Sequence, residues 1–310
     1  MLGIKSVASY LPVNRKKNTD LSATFDLNED FLRDKIGVLE RAVKAPSQDT
    51  SDLALLALER LLIQNGLSKE SIQALVVVTQ NPDRIIPHAS ALVHGLAGLP
   101  ESCAVFDISL GCSGYVYGLS ILSSFMQTNG MNVGVLITAD PYSKIIDESD
   151  RNTVLLFGDA ATATLITDEP MWTLESFTFG SKGKDWAAIQ VDGGKFVMDG
   201  RAVFNFAATQ VPLDVRQLLA RARLAPDEID RYVMHQGSRF IVKTIANRLK
   251  QPLSKFPIEI ERCGNTVSST IPLILEQEMK RDDPSARTMV LSGFGVGLSW
   301  ASCLCRRTGR

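Results

Sequence analysis

Cys112 stands in Ser109-Leu110-Gly111-Cys112-Ser113-Gly114, after an apolar run at 105–108 and before a helix-like stretch at 115–125. A cysteine at a strand-to-helix turn meets unpaired helix N–H groups and the positive end of the helix dipole. Both favour the thiolate, the form that attacks a carbonyl carbon. Gly111 and Gly114 permit a tight turn and the close approach of a substrate. His235 ends the apolar run 232–234. That is the carboxyl end of a strand, beyond which open α/β sheets build their ligand sites. Asn265, in Cys263-Gly264-Asn265-Thr266, occupies a second strand-to-helix turn, where its amide N–H could donate to a substrate oxygen. Gly293-Phe294-Gly295-Val296-Gly297 follows another apolar run, and such spacing can aim backbone N–H groups at an oxyanion.

Each feature has an ordinary reading when taken alone. A free cysteine is usually a packing residue. A histidine after a strand is usually structural, and an asparagine in such a turn usually caps a helix. The glycine cluster could be a bulge or a tight turn. It lacks the strand-then-helix setting of a dinucleotide fingerprint, so that reading is rejected. His88 and His94, in a loop-like stretch and the helix after it, have no setting comparable to that of His235.

The elements that would position these residues follow from hydrophobic periodicity. Leucines at 55, 58 and 62 share one helical face, so 50–63 is expected to be a helix, capped by Thr50 or Ser51 and ended at Gly66. Residues 74–79 form a continuous apolar run, the pattern of a strand buried on both faces. Similar runs occur at 104–108, 133–138, 231–234 and 288–291. Strands alternating with helices imply an α/β fold. A weak internal repeat runs through the chain. Residues 76–80 resemble 232–236, and 135–137 resemble 289–291 at nearly the same offset. Between these anchors each half is expected to carry a strand, a small-residue turn and a helix. Chance similarity between buried strands is the alternative.

Composition narrows the function classes. The 310 residues are 45% hydrophobic and 22% charged, enough for a large core without disulfides or metals. The 33 Lys+Arg nearly cancel the 34 Asp+Glu, giving a net charge of -1. That argues against a general nucleic-acid binder. No apolar run reaches the ~18 residues of a membrane span, and no signal peptide is visible at residues 1–5. Five cysteines without paired CxxC spacing read as reduced thiols of a cytoplasmic protein. Cys303 and Cys305 would share one face of a strand and pack in the core.

Taken together and in order, these motifs resemble the β-ketoacyl-acyl-carrier-protein synthase III family of the thiolase superfamily. The resemblance spans essentially the whole chain. It is carried by the segment around Cys112, by 233–241 and 262–272, by Asp150-Arg151 and Phe157-Gly158-Asp159, and by the closing glycine cluster. It implies an α/β, thiolase-like fold of two βαβαβαββ halves in a five-layered α-β-α-β-α body, usually a homodimer. The halves would be 1–167, with the nucleophilic cysteine, and 168–310, with the histidine and asparagine. It also implies the reaction. Cys112 would take an acyl group from acyl-CoA, with the backbone N–H groups of Cys112 and Val296 as oxyanion hole. His235 and Asn265 would hold the thioester carbonyl of malonyl-acyl-carrier protein as carbon dioxide leaves, and the enolate would attack acyl-Cys112 to give a 3-oxoacyl product. No metal or redox cofactor is expected.

By the same resemblance Phe31 and Arg151 would meet the adenine of CoA, and Lys35 and Arg41 its phosphates. Ile86 would bound the acyl pocket of a partner subunit. Three departures stand out. Ser238 lies where the family often has asparagine, and Phe240 where it often has a carrier-contacting arginine. Asp159 is followed by Ala160, Ala161 and Thr162 where glycines are usual. They suggest a specialised relative. The alternative activity is transfer of the acyl group to an oxygen or nitrogen nucleophile without decarboxylation.

Overall fold

A computed structural model describes residues 1–309. The first part of the chain runs β1 (Gly3–Tyr10), β2 (Arg15–Lys17), α1 (Ser22–Phe25), β3 (Glu40–Ala42), α2 (Thr50–Asn65), β4 (Ala74–Val78), α3 (Ala89–Ala97), β5 (Ala104–Ile108), α4 (Gly114–Thr128), β6 (Val133–Ala139), α5 (Arg151–Val154) and β7 (Ala161–Thr167). The second runs β8 (Trp172–Ser181), β9 (Ile189–Asp192), β10 (Lys195–Met198), α6 (Gly200–Ala222), β11 (Arg231–Met234), α7 (Arg239–Leu249), α8 (Thr270–Arg281), β12 (Thr288–Gly295) and β13 (Ser299–Arg307).

The main sheet has the order β11-β12-β13-β8-β1-β7-β6-β4-β5. It consists of two half-sheets joined at one seam, where Gly3 and Ile4 of β1 meet Thr173 and Trp172 of β8. Helices α2 and α3 cover one half-sheet, α6 the other, and α4 and α8 lie between them touching strands of both. The order of layers is therefore α-β-α-β-α. Sequence alternation builds it. In β4, Leu75 and Val77 pack toward α2 while Val76 and Val78 pack toward the central helices. In β12, Met289 and Leu291 face the central layer, and Val290 and Phe294 face the α6 side. Cys303 and Cys305 pack on one face of β13 with their sulfurs 3.7 Å apart, both buried.

Two local expectations change. The cap of α2 is Asp49, whose carboxylate accepts from Thr50 N–H, while Asp52 reaches back to Asp49 N–H at 2.7 Å. More consequentially, the run 258–260, opposite β5 in the repeat, forms no strand. Pro257 has no N–H to give. The Gln236 side chain takes over part of the pairing, donating to Pro257 O at 3.2 Å and accepting from Glu259 N–H at 3.4 Å. The second half-sheet is therefore one strand shorter, and Asn265 follows a loop rather than a strand.

Candidate active site

Cys112, His235 and Asn265 line one cavity of about 610 Å³. They arrive on three separate turns. Cys112 lies after β5, ahead of α4, whose N-cap is Ser113. His235 leaves β11 with its N–H on Ser292 O at 2.8 Å. Asn265 is clamped by its backbone, its N–H donating to Leu156 O at 2.7 Å and its carbonyl accepting from Gly158 N–H at 3.1 Å. That clamp requires Gly158, since a Cβ there would lie 1.9 Å from Cys263 O.

The glycine cluster brings β12 against the cysteine. A Cβ on Gly293 would sit 2.6 Å from Cys112 O, and one on Gly295 would sit 2.7 Å from Cys112 Sγ. Beyond them, the backbone N–H groups of Val296 and of Cys112 itself lie near enough to the sulfur to favour its thiolate. These are the two residues whose N–H groups the resemblance assigns to an oxyanion hole.

The resting state of the sulfur differs from expectation. Burial pushes the Cys112 thiol up to about 12, although the two N–H groups favour the thiolate. Desolvation outweighs them because no cation faces the sulfur and Asp140 adds negative charge nearby. His235 supplies no cation, because burial lowers its pKa to about 3 and keeps the imidazole neutral.

Hydrogen bonding orients the other two side chains. Asn265 Oδ1 accepts from Val267 N–H at 2.9 Å. A backbone N–H can only donate, so the amide oxygen must face it and Nδ2 is left to donate elsewhere. His235 Nδ1 lies 2.7 Å from Thr270 Oγ1, and that hydroxyl is 3.1 Å from Val267 O. The hydroxyl has one hydrogen. When it goes to Val267 O, Nδ1 carries the imidazole proton and Nε2 is an acceptor. When it turns to Nδ1, Nε2–H is a donor.

Ser238 lines the cavity and also caps α7, its Oγ accepting from Ile241 N–H at 3.2 Å. Phe31 and Arg151 are not part of the cavity wall. They pair with each other, the guanidinium 5.3 Å from the ring centroid, so Arg151 covers a face expected to take adenine. Lys35 reaches the cavity mouth, 4.6 Å over the Phe240 ring. Arg41 does not serve as a surface phosphate contact. It is 5% exposed and its Nε donates to Asn18 Oδ1 at 2.8 Å. Ile86 is 84% exposed and lies outside its own chain's cavity.

Sequence reasoning missed most of the cavity wall. Tyr142, Phe157 and Phe196 interlock with centroids 5.3, 5.1 and 5.0 Å apart. Phe204 stacks on Phe240 at 5.2 Å at the mouth. They come from four parts of the chain and share no periodicity. Phe240 carried a signal as a departure from the family pattern, and Phe157 as part of a matching motif. Among the described residues, no cluster of potential metal ligands occurs, and no helix is long and apolar enough to cross a membrane.

Comparisons with known proteins agree on one family. Residues 106–183 match the family model described as 3-oxoacyl-[acyl-carrier-protein (ACP)] synthase III, and 219–307 match the model of its C-terminal part. The chain is 32% identical to the β-ketoacyl-[acyl-carrier-protein] synthase III of Lactococcus lactis, covering 97% of this chain and 98% of that protein. It is 33% identical to the same-named protein of Latilactobacillus sakei over 96% of each. A solved 3-oxoacyl-(acyl-carrier-protein) synthase III superposes with a TM-score of 0.93 at 32% identity, covering 98% of this chain and 99% of that one. The Pseudomonas aeruginosa protein of that name gives 0.91 at 30% identity, covering 99% and 98%.

Proposed function

This chain belongs to the 3-oxoacyl-[acyl-carrier-protein] synthase III family, and on that premise we propose how its residues divide the work. It is a condensing enzyme that uses acyl-CoA and malonyl-acyl-carrier protein. One observation supports the assignment of roles best. A cysteine flanked by two backbone N–H donors shares a cavity with a neutral imidazole and an amide whose Nδ2 is free to donate.

In the loading step the Cys112 sulfur attacks the acyl-CoA carbonyl. The oxyanion is held by the N–H groups of Cys112 and Val296, the C–S bond to CoA breaks, and the thiol proton passes to the departing CoA sulfur. Thioester exchange of this kind is nearly balanced in energy, so the barrier is met mainly by the N–H pair. In the second step Nε2–H of His235 and Nδ2–H of Asn265 hold the malonyl thioester oxygen. Carbon dioxide leaves, the enolate carbon attacks acyl-Cys112, and the cysteine sulfur departs as thiolate and takes a proton from solvent. Two neutral donors suit an anion that exists only in transit. No step calls for a metal or redox cofactor.

The remaining assignments are ours as well. Ser238 would contact the substrate near His235, and Phe31 and Arg151 would part to admit adenine. The exposed Ile85 and Ile86 supply an apolar loop tip that suits a homodimer in which Ile86 bounds the partner's pocket. The matching strand orders of the two half-sheets support a division into 1–167 and 168–310. A net charge of -1 and the absence of a membrane-crossing helix among the described residues suit a cytoplasmic enzyme.

The test is intact mass after incubation with acyl-CoAs from acetyl to dodecanoyl, with Cys112→Ala as control. The expected result is one acyl group gained, lost in the variant, and consumed on adding malonyl-carrier protein. An adduct that persists in Cys112→Ala would overturn the role of that cysteine. An adduct that malonyl-carrier protein leaves intact would favour transfer to oxygen or nitrogen. Fast turnover with acetyl-CoA would sink the idea of a specialised primer.

A further inference from the structure

Asp140, just past β6, is fully buried, and the reaction steps above make no use of it. Among the described residues no cation pairs with it. Such a carboxylate is costly unless hydrogen bonds replace its water. Oδ1 accepts from Gln80 N–H at 2.8 Å and Thr79 Oγ1 at 3.1 Å, and Oδ2 accepts from Ser268 Oγ at 2.6 Å. The backbone N–H of Ser268 also favours the ionised carboxylate. One side chain therefore ties the ends of β4 and β6 to the turn between Asn265 and α8.

That turn is strained. Val267 has φ +56° and a fully buried side chain. A β-branched residue is rarely found in this region and persists only where its surroundings hold it. The side chains of Asn265 and His235 are both linked to its peptide groups. Val267 N–H fixes the Asn265 amide, and Val267 O lies 3.1 Å from the Thr270 hydroxyl, whose one hydrogen must turn to His235 Nδ1 for Nε2–H to donate. If Val267 relaxed to negative φ, both contacts would rotate away. Its next neighbour, Ser268, is the residue that Asp140 holds.

We propose that Asp140 is a positioning residue, which through Ser268 holds the Val267 turn so that Asn265 and His235 face the malonyl thioester. It acts on condensation and not on loading of Cys112. This rests on the roles given above to His235 and Asn265. The Asp140→Asn variant separates the two half-reactions because its oxygen still serves Thr79 and Gln80. Its NH₂ replaces the oxygen that accepts from Ser268 Oγ at 2.6 Å, so that bond can no longer form in the same direction.

The experiment compares Asp140→Asn, Ser268→Ala and His235→Ala in the full chain. It reads loading by intact mass, condensation of the preloaded enzyme, and ring nitrogen signals after histidine-specific ¹⁵N labelling, practical with 3 histidines. In the first two variants condensation falls roughly 10–100-fold, loading stays within about 3-fold, and the His235 signals shift. Equal losses in both half-reactions with unmoved His235 signals would mean a merely structural role and overturn the proposal. So would two variants that behave as wild type. If Asp140→Asn does not fold, Ser268→Ala carries the test, since it removes only a hydroxyl. Loss of loading in His235→Ala would overturn the role of His235 instead, and the signal shift would still report the coupling.

Discussion

Gly295→Ala puts the smallest added group directly onto the nucleophile. The new Cβ would lie 2.7 Å from Cys112 Sγ and 2.8 Å from Cys112 Cβ. Ordinary contact needs about 3.5–4.0 Å, so the overlap is close to 1 Å. The strand cannot easily yield, because β12 is paired residue by residue with β13 up to Gly295 and Ser299. The sulfur must therefore move from its position. A misplacement of ~1 Å in a reacting atom costs on the order of 100-fold in rate, about 2.7 kcal/mol. Overpacking of this kind also lowers stability by about 1–3 kcal/mol. The assay is the rate of acyl-Cys112 formation by intact mass at saturating acyl-CoA, with a urea melt on the same sample. Gly183→Ala is the control, because a Cβ there meets nothing within 4 Å. A folded Gly295→Ala enzyme that loads within about threefold of wild type would refute the claim that this contact sets the position of the sulfur.

Two further outcomes follow from protonation. With the Cys112 thiol pushed up to about 12, the sulfur is protonated through neutral pH, so its alkylation by iodoacetamide should rise about tenfold per pH unit from 7 to 9. A plateau below pH 8 would show that the N–H groups win over burial. Stability should carry two opposing pH terms. His235 is held down to about 3 from 6.5, so over that window the unfolded chain binds the extra proton and stability falls as pH falls. Asp140 is raised by burial to about 6 from 3.8, so there the folded chain binds the extra proton and stability rises as pH falls. Each slope is about 1.4 kcal/mol per pH unit, and they cancel where the windows overlap. Asp140→Asn removes one term, so between pH 6 and 4 its urea-derived stability should fall about 1.4 kcal/mol per unit more steeply than wild type. Parallel curves would refute this.

The sequence by itself determined the α/β alternation, a weak repeat between the halves and the segments that carry Cys112, His235 and Asn265. Those properties are written in local periodicity, because a strand buried on both faces must be apolar throughout and a helix shows its face every three or four residues. It also located the Gly293–Gly297 cluster, though not that Gly293 and Gly295 exist to let β12 press on Cys112. The exchange of the strand expected ahead of Asn265 for a loop could not be read. It depends on the Gln236 side chain reaching across to Pro257 and Glu259. Nor could the Arg151 cover on Phe31, the aromatic wall or the burial of Arg41, each of which needs partners from distant parts of the chain. Protonation was the largest surprise. A helix N-terminus is visible locally, but desolvation is the sum of everything packed around the sulfur. The carboxylate that braces the site is bonded to Ser268, 128 positions away. Only the folded chain brings such groups within a few ångströms of each other, and at that range the Coulomb and desolvation energies that decide their charge are felt.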